Sequence, residues 1–209
     1  MVPAVLLLVL NCGSATVKFE LFEKRGACLE SLRSGTVEPM GRYREAIASI
    51  LVDLPRKPDA VAHRVVHGGD RFAGPVRIDD AVRTEIRKLI PLAPLHNPPA
   101  LEGIDAIYAL GLPSVATFDT AFHSTIPEVA RRYALSEFHR FGFHGLSHQY
   151  VTEQYAELAD SPEPTIITLH LGNGCSATAV RKGRSVDTSM GFTPLEGLIM
   201  GTRAGDLDP

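Results

Sequence analysis

Cysteine is scarce in this chain. Its 209 residues hold three. Cys12, Cys28 and Cys175 form no close pair and no C-x-x-C, and their count is odd, which favours a reducing compartment, the cytoplasm, over a disulfide framework. Basic excess is also missing. Against 24 Asp and Glu stand 21 Lys and Arg, a formal charge of -3, so no nucleic-acid partner is expected. No hydrophobic run approaches the length that crosses a bilayer, so no membrane partner is expected either. The opening MVPAVLLLVLNCG has a short apolar run with no Lys or Arg before it. Asn11 before Cys12 fits small-residue cleavage poorly, so this segment reads as a buried strand rather than a signal. A G-x-x-x-x-G-K-[ST] stretch is absent as well, which excludes a P-loop.

What the chain does have is a near-repeat. Residues 5–22 read VLLLVLNCGSATVKFELF and residues 166–180 read IITLHLGNGCSATAV. Each is an apolar run, an Asn, a small-residue turn, Ser-Ala-Thr, and a return to apolar residues. Asn11, Ser14, Ala15 and Thr16 align with Asn173, Ser176, Ala177 and Thr178. A strand that turns on Asn, Gly and hydroxyls makes a cup of backbone N–H groups suited to an anion. One cup could hold phosphate; two suggest related half-structures facing a shared cleft and a polyphosphate ligand.

Between the repeats, helical and strand periods alternate. Val5–Leu10 and Val17–Leu21 read as strands, with Lys18 turned away from the face of Val17 and Phe19. Ile47, Ile50, Leu51 and Leu54 mark a helix over 43–54 that stops at Pro55. Val61–His67 reads as a strand ending at Gly68-Gly69. Asp79 or Asp80 caps a helix that Pro91 ends, and Asn97-Pro98-Pro99 opens another. Ser114–Phe118 is a short strand delivering Asp119. Residues 147–159 read as a helix with Val151, Tyr155 and Leu158 inward. Thr165–Leu171 and a strand from Ala177 follow, and the chain from Asp187 onward reads as an ordered loop. The class is therefore α/β, with a domain boundary near residue 121: one domain over 1–121, a second over 122–209.

Several residues carry possible chemistry. Strand alternation puts Arg64 and Val66 on one face, where a guanidinium beside a small apolar group would suit a short carboxylate with an alkyl tail; a solvated arginine fits the same spacing. Asp119, beyond a strand's carboxyl end, could hold Mg²⁺ through water, orient an arginine, or cap a helix. His144 and His148 stand at i, i+4, a spacing that can bind metal. No Glu follows His144, and Gly145 favours a helix start, so a phosphate-facing His144 is the better reading beside a capping or core histidine. His170 with Leu171-Gly172-Asn173-Gly174 forms the second anion cup. Arg203 lies in a Gly-rich loop; it is either solvated or, with Arg64, a clamp on a transferring phosphoryl group.

These segments together resemble the acetate and butyrate kinase family of the actin, sugar kinase and Hsp70 superfamily. The resemblance rests on NCGSATVKF, HRVVHGG, APLHNPPA, FDTAFHSTIP, FGFHGLSHQY, HLGNGCSA and MGFTPLEGLIMGTRAGDLDP. It implies two ribonuclease-H-like domains and a homodimer. The implied reaction is reversible phosphoryl transfer between ATP and acetate, with Mg²⁺ (or Mn²⁺), giving acetyl phosphate and ADP; propionate and butyrate are alternative substrates. It also implies roles. Asn11 is the Mg²⁺-site asparagine, and Lys18, with Ser14 and Thr16 of the first turn, lies near the ATP phosphates. Arg64 binds the substrate carboxylate, and Val66, Leu95, Phe143 and Pro194 pack its methyl group. Asp119 is the catalytic aspartate, His144 and Arg203 stabilise the transition state, and His170, Leu171, Gly172, Asn173 and Gly174 form a nucleotide phosphate loop. The chain departs from the family at Ala15, which removes a hydroxyl of the first turn, and at Leu146, where Thr is usual. Family members carry roughly as much chain again after the matched GTRAGDLDP. The sequence thus reads as an amino-terminal portion whose second ribonuclease-H-like domain is incomplete, inactive alone or a non-catalytic remnant.

Overall fold

The computed structural model describes residues 3–208; Met1, Val2 and Pro209, the last of which closes the GTRAGDLDP segment, lie outside the described residues. Contacts divide the chain into two units. One takes the residues up to Val65 and Pro75–Thr117; the other takes Val66–Gly74 and everything from Phe118. The sequence-based division at residue 121 is a single cut, whereas these contacts cut between Thr117 and Phe118 and give 66–74 to the second unit.

In unit 1, Leu6, Leu8, Leu10 and Cys12 are buried at every second position of β1 (Val5–Cys12), the period of a strand with one face on a core. β1 pairs antiparallel with β2 (Val17–Arg25), from Val5↔Lys24 to Cys12↔Val17, and β2 pairs with β3 (Cys28–Val37). Helix α1 (Tyr43–Asp53) buries Ala46, Ile47 and Ile50 on one face. Its cap residue Leu54 is extended ahead of Pro55, whose ring disfavours a helical predecessor. Strand β4 (Ala60–Val65) runs parallel to β1, and β5 (Val76–Arg77) follows. Helix α2 (Asp80–Lys88) starts at Asp79, whose carboxylate accepts from the Val82 N–H at 2.8 Å. Helix α3 (Asn97–Ala109) carries its prolines in the first turn, where a missing N–H costs nothing. Strand β6 (Ser114–Phe118) completes a sheet of order β3-β2-β1-β4-β6-β5. Leu8, Leu10, Leu21, Ile47, Ile50 and Ile107 form the centre of this core. Each such side chain contributes about 1.5–3 kcal/mol on burial.

Unit 2 holds a 3₁₀ turn (Ala121–Thr125), α4 (Glu128–Arg131), α5 (Gly145–Leu158) and three antiparallel strands, β7 (Ile166–Leu171), β8 (Cys175–Arg181) and β9 (Arg184–Thr188), in that spatial order. Its segment 66–74 is tied in by the Phe72 ring stacked on Phe118 at 4.5 Å and by the Gly68 N–H donating to Thr120 Oγ1 at 3.0 Å. The interior mixes apolar side chains with many polar ones: Thr168, Ser176, Thr178, Ser185, Thr188, His123 and His148 are all buried.

Three sequence expectations are corrected. Helix α5 buries Gly145, His148 and Thr152, while Val151, Tyr155 and Leu158 are exposed. Hydrogen bonds from His148, and not an apolar stripe, fix the face it turns inward. Strand β4 ends at Val65, two residues short of the expected His67. The Gly69 N–H donates to His67 Nδ1 at 3.0 Å, a local bond that replaces further ladder pairing. The chain at Asp187 is still strand, because β9 pairs with β8 through Thr178↔Thr188 and Ala179↔Asp187.

Candidate active site

In unit 1 the β1–β2 bend closes with the Gly13 N–H donating to the Thr16 carbonyl at 2.8 Å. The Tyr43 hydroxyl donates to the Gly13 carbonyl at 2.8 Å and props the bend from below. Ser14 and Ala15 are exposed at its tip and Thr16 is half-buried. Asn11 is still paired in the ladder, opposite Lys18. Lys18 is exposed, on the face opposite buried Val17 and Phe19. Arg64, near the end of the neighbouring β4, donates from Nη1 to Asn11 Oδ1 at 3.1 Å. Two residues singled out for different reasons are thus in direct contact. Leu95 is exposed in the turn before α3 of this unit.

In unit 2 the β7–β8 bend closes more tightly, with the Gly172 N–H donating to the Gly174 carbonyl at 3.1 Å. Leu171, Gly172 and Asn173 are exposed. Three donor side chains gather at this bend. His144 sits in the left-handed region (φ 58°) immediately before α5. Its ring stacks on His170 with centroids 4.1 Å apart, and its Nδ1 lies 2.9 Å from Ser176 Oγ. A Cβ placed on Gly174 would lie 3.2 Å from His144 Nε2 and 3.6 Å from Arg203 Nη1, so both groups flank the bend. His170 Nδ1 is held by Ser147 Oγ at 2.9 Å. Arg203 is anchored by donation to the Pro194 carbonyl at 2.8 Å, and the Gly201 N–H donates to the Asn173 carbonyl at 3.2 Å. Phe143 packs with Met190, Met200 and the half-buried Val66 and Cys175. Asp119 is buried, and its backbone carbonyl accepts the first N–H of α5, from Gly145, at 2.8 Å.

Residues outside the sequence-derived set hold these groups in place. His123 donates from Nε2 to the Phe143 carbonyl at 3.0 Å; a carbonyl only accepts, so Nδ1 takes the hydroxyl proton of Ser185 at 2.9 Å. Burial lowers His123 to about 4, which keeps it neutral in this arrangement. Arg140 donates from Nη1 to the carbonyls of Thr188, Ser189 and Met190 and from Nη2 to Glu196. Tyr133 donates to the other Glu196 oxygen and accepts from the Phe192 N–H. Burial, then the bond to Glu196, pushes the Tyr133 hydroxyl up to about 12, so it remains a donor. This brace fixes the loop that carries Pro194. Only the i, i+4 spacing of His144 and His148 hinted at any of it. That spacing does not serve a metal, because both His148 nitrogens are taken, by Thr168 at 2.7 Å and Ser176 at 2.8 Å.

A magnesium ion takes most of its six oxygens from water and substrate phosphates and needs few from protein. Asn11 Oδ1 keeps a second lone pair beyond the bond from Arg64, so the amide fits such an ion. Among the described residues no group of three His, Cys, Asp or Glu is arranged to hold a metal without such help.

The order of strands around β1 and the strand–bend–strand units define an α/β fold of the actin-like ATPase, or ribonuclease-H-like, kind. The chain belongs to the Acetokinase family, which matches over residues 40–209. Acetate kinases from Streptomyces coelicolor and Deinococcus deserti are 46% and 48% identical, covering 97% and 98% of this chain and 60% of each relative. The acetate kinase structure from Porphyromonas gingivalis superposes with a TM-score of 0.84 at 39% identity, over 98% of this chain and 62% of that one. A propionate kinase structure from Francisella tularensis gives 0.81 at 39%, with the same coverage. The chain thus spans about 60% of the length of the curated relatives it matches.

Proposed function

We propose that this protein acts in reversible phosphoryl transfer between ATP and acetate. The observation that carries the reading is the gathering of His144, His170 and Arg203 around the exposed backbone of the Gly172–Gly174 bend. In the forward direction an acetate oxygen bonds to the γ-phosphorus while the bond to the ADP oxygen breaks, so acetyl phosphate and ADP form. Such a transfer needs placement and charge neutralisation more than covalent help.

Unit 2 would contribute the Nε2 edge of His144 and the Arg203 guanidinium to the equatorial oxygens. The N–H groups of residues 171–174, with His170, would take nucleotide phosphates. Asp119 would act as the catalytic aspartate. Unit 1 would contribute Arg64 to the acetate carboxylate, and Ser14, Thr16 and Lys18 to the ATP phosphates. Asn11 would offer its amide oxygen to Mg²⁺ (or Mn²⁺), which when bound neutralises phosphate charge. Val66, Phe143 and Pro194, with Leu95, would measure the acyl tail. One extra methylene discriminates by only ~1–3 kcal/mol, so propionate would serve as a second substrate.

A reducing cytoplasmic setting is proposed from the scarcity and spacing of Cys12, Cys28 and Cys175 in the sequence. A homodimer is proposed from the resemblance alone. The relatives are longer, and we propose that these 209 residues by themselves do not sustain turnover.

The test uses the protein expressed from its complete reading frame, assayed for acetyl hydroxamate from acetate, ATP, Mg²⁺ and hydroxylamine. Arg64→Ala should lower the rate by more than about tenfold, the loss of one charge-assisted contact. A smaller loss would count against the assigned roles. Mg²⁺-dependent ATP binding with turnover by the 209-residue chain would overturn its proposed inactivity.

A further inference from the structure

Ser176 carries one hydroxyl proton and faces two imidazoles. His144 Nδ1 lies 2.9 Å from its Oγ, and His148 Nε2 lies 2.8 Å from the same atom. His148 Nδ1 in turn lies 2.7 Å from Thr168 Oγ1. The serine, the middle histidine and the threonine are all buried. Two arrangements keep the buried Ser176 proton within this line, as a hydroxyl with no other acceptor requires. In one, His148 donates from Nδ1 to Thr168, Ser176 donates to His148, and His144 donates from Nδ1 to Ser176. In the other, every bond runs the opposite way.

The two are not equivalent. In the first, Thr168 is an acceptor and its own hydroxyl proton has no acceptor among the described residues, at a site only 2% exposed. In the second, Thr168 donates to His148 Nδ1, His148 donates from Nε2 to Ser176, and Ser176 donates to His144 Nδ1. Every buried proton is then used. His144 Nδ1 is thereby fixed as an acceptor, and the ring proton of the neutral imidazole sits on Nε2, the atom beside Gly174 and Arg203.

We propose that Thr168, His148 and Ser176 form a buried chain of positioning residues that sets the tautomer of His144, so that it offers a neutral Nε2–H to a phosphoryl oxygen. The proposal deepens the kinase reading and rests on it for the identity of the acceptor. Burial, and after it the neighbouring His123 and His170, lowers His148 to about 4. It therefore holds a single proton at neutral pH, as the counting requires. Groups facing the chain include His170, stacked on His144; His123, 5.9 Å from the His148 ring; and Arg203 across the bend. A neutral donor beside the Arg203 cation avoids placing two like charges together before a phosphate arrives.

The test is nitrogen NMR of the imidazole rings in ¹⁵N-histidine-labelled protein at pH 7.5, about a unit above the ordinary histidine range. His144 and His148 are both expected as the Nε2–H tautomer. Thr168→Val removes the only element that distinguishes the two arrangements, so both rings should become mixtures of tautomers; Thr168→Ser should restore the single form. An Nδ1–H tautomer at His144 in the unaltered protein would overturn the proposal. So would Thr168→Val that leaves both rings unchanged. Should Thr168→Val not fold, the spectrum of the unaltered protein decides alone. A protein with the expected tautomers and no turnover of acetate with ATP in its complete form would end the kinase reading and leave the hydrogen-bond chain standing.

Discussion

Acidification from pH 7 to pH 5 should weaken both units through buried histidines, His63 in unit 1 and His67, His123 and His148 in unit 2. His63 in β4 and His123 in the 3₁₀ turn are each 1% exposed, and burial lowers both from 6.5 to about 4. Among the described residues His63 Nε2 has no hydrogen-bond partner to offset the cost of charging the ring. A depressed histidine binds fewer protons folded than unfolded, so stability is full above the unfolded value and falls as pH drops towards the folded one. At pH 5 each group should have removed about 2 kcal/mol relative to pH 7, and the full loss, approached below pH 4, is about 3 kcal/mol each. Against a typical domain stability of about 5–15 kcal/mol, that is a large share. Urea unfolding followed by far-UV circular dichroism at the two pH values measures it. His63→Leu removes the titrating group from unit 1 and should abolish about 2 kcal/mol of the pH dependence whatever it does to absolute stability. Equal losses between pH 7 and pH 5 in His63→Leu and the unaltered chain would refute the argument.

A Cβ at Gly103 would lie 2.5 Å from Cys12 Sγ; Gly103→Ala should cost about 1–3 kcal/mol by overpacking, and Cys12→Ala should recover most of it in the same unfolding assay. Asp79→Ala should lower stability by about 1 kcal/mol through loss of the α2 cap, with Asp79→Ser close to neutral. Tyr133→Phe strands a Glu196 oxygen and the Phe192 N–H; amide exchange over residues 188–196 should accelerate, and a cost of about 1–3 kcal/mol is expected.

Strand and helix order could be read from the sequence wherever apolar residues kept a clean period. Leu6, Leu8 and Leu10 announced β1, and the prolines after Asn97 announced the start of α3. The reading failed where polar groups do the packing. The apolar residues of α5 predict the wrong inner face, because His148 and Thr152 go inside, where their bonds to Thr168, Ser176 and the helix backbone satisfy buried polar groups. The same blindness hid His123 and the Arg140–Glu196–Tyr133 brace, whose partners are distant in sequence and carry no period. The two bends were legible as turns, since glycines and flanking hydroxyls leave a compact local signature. The contact of Arg64 with Asn11 was not legible, because it depends on β4 lying parallel beside β1, a pairing made across more than fifty residues.

The nine residues from Val66 to Gly74 interrupt unit 1 in the chain but belong to unit 2, and that ordering constrains how a ribosome can deliver this protein. Phe72 and Gly68 emerge well before Phe118 and Thr120, their partners. At about 5–20 residues per second the inserted stretch waits several seconds with an aromatic ring uncovered. Neither unit is a contiguous stretch of gene, so a cut meant to isolate one would carry off a piece of the other.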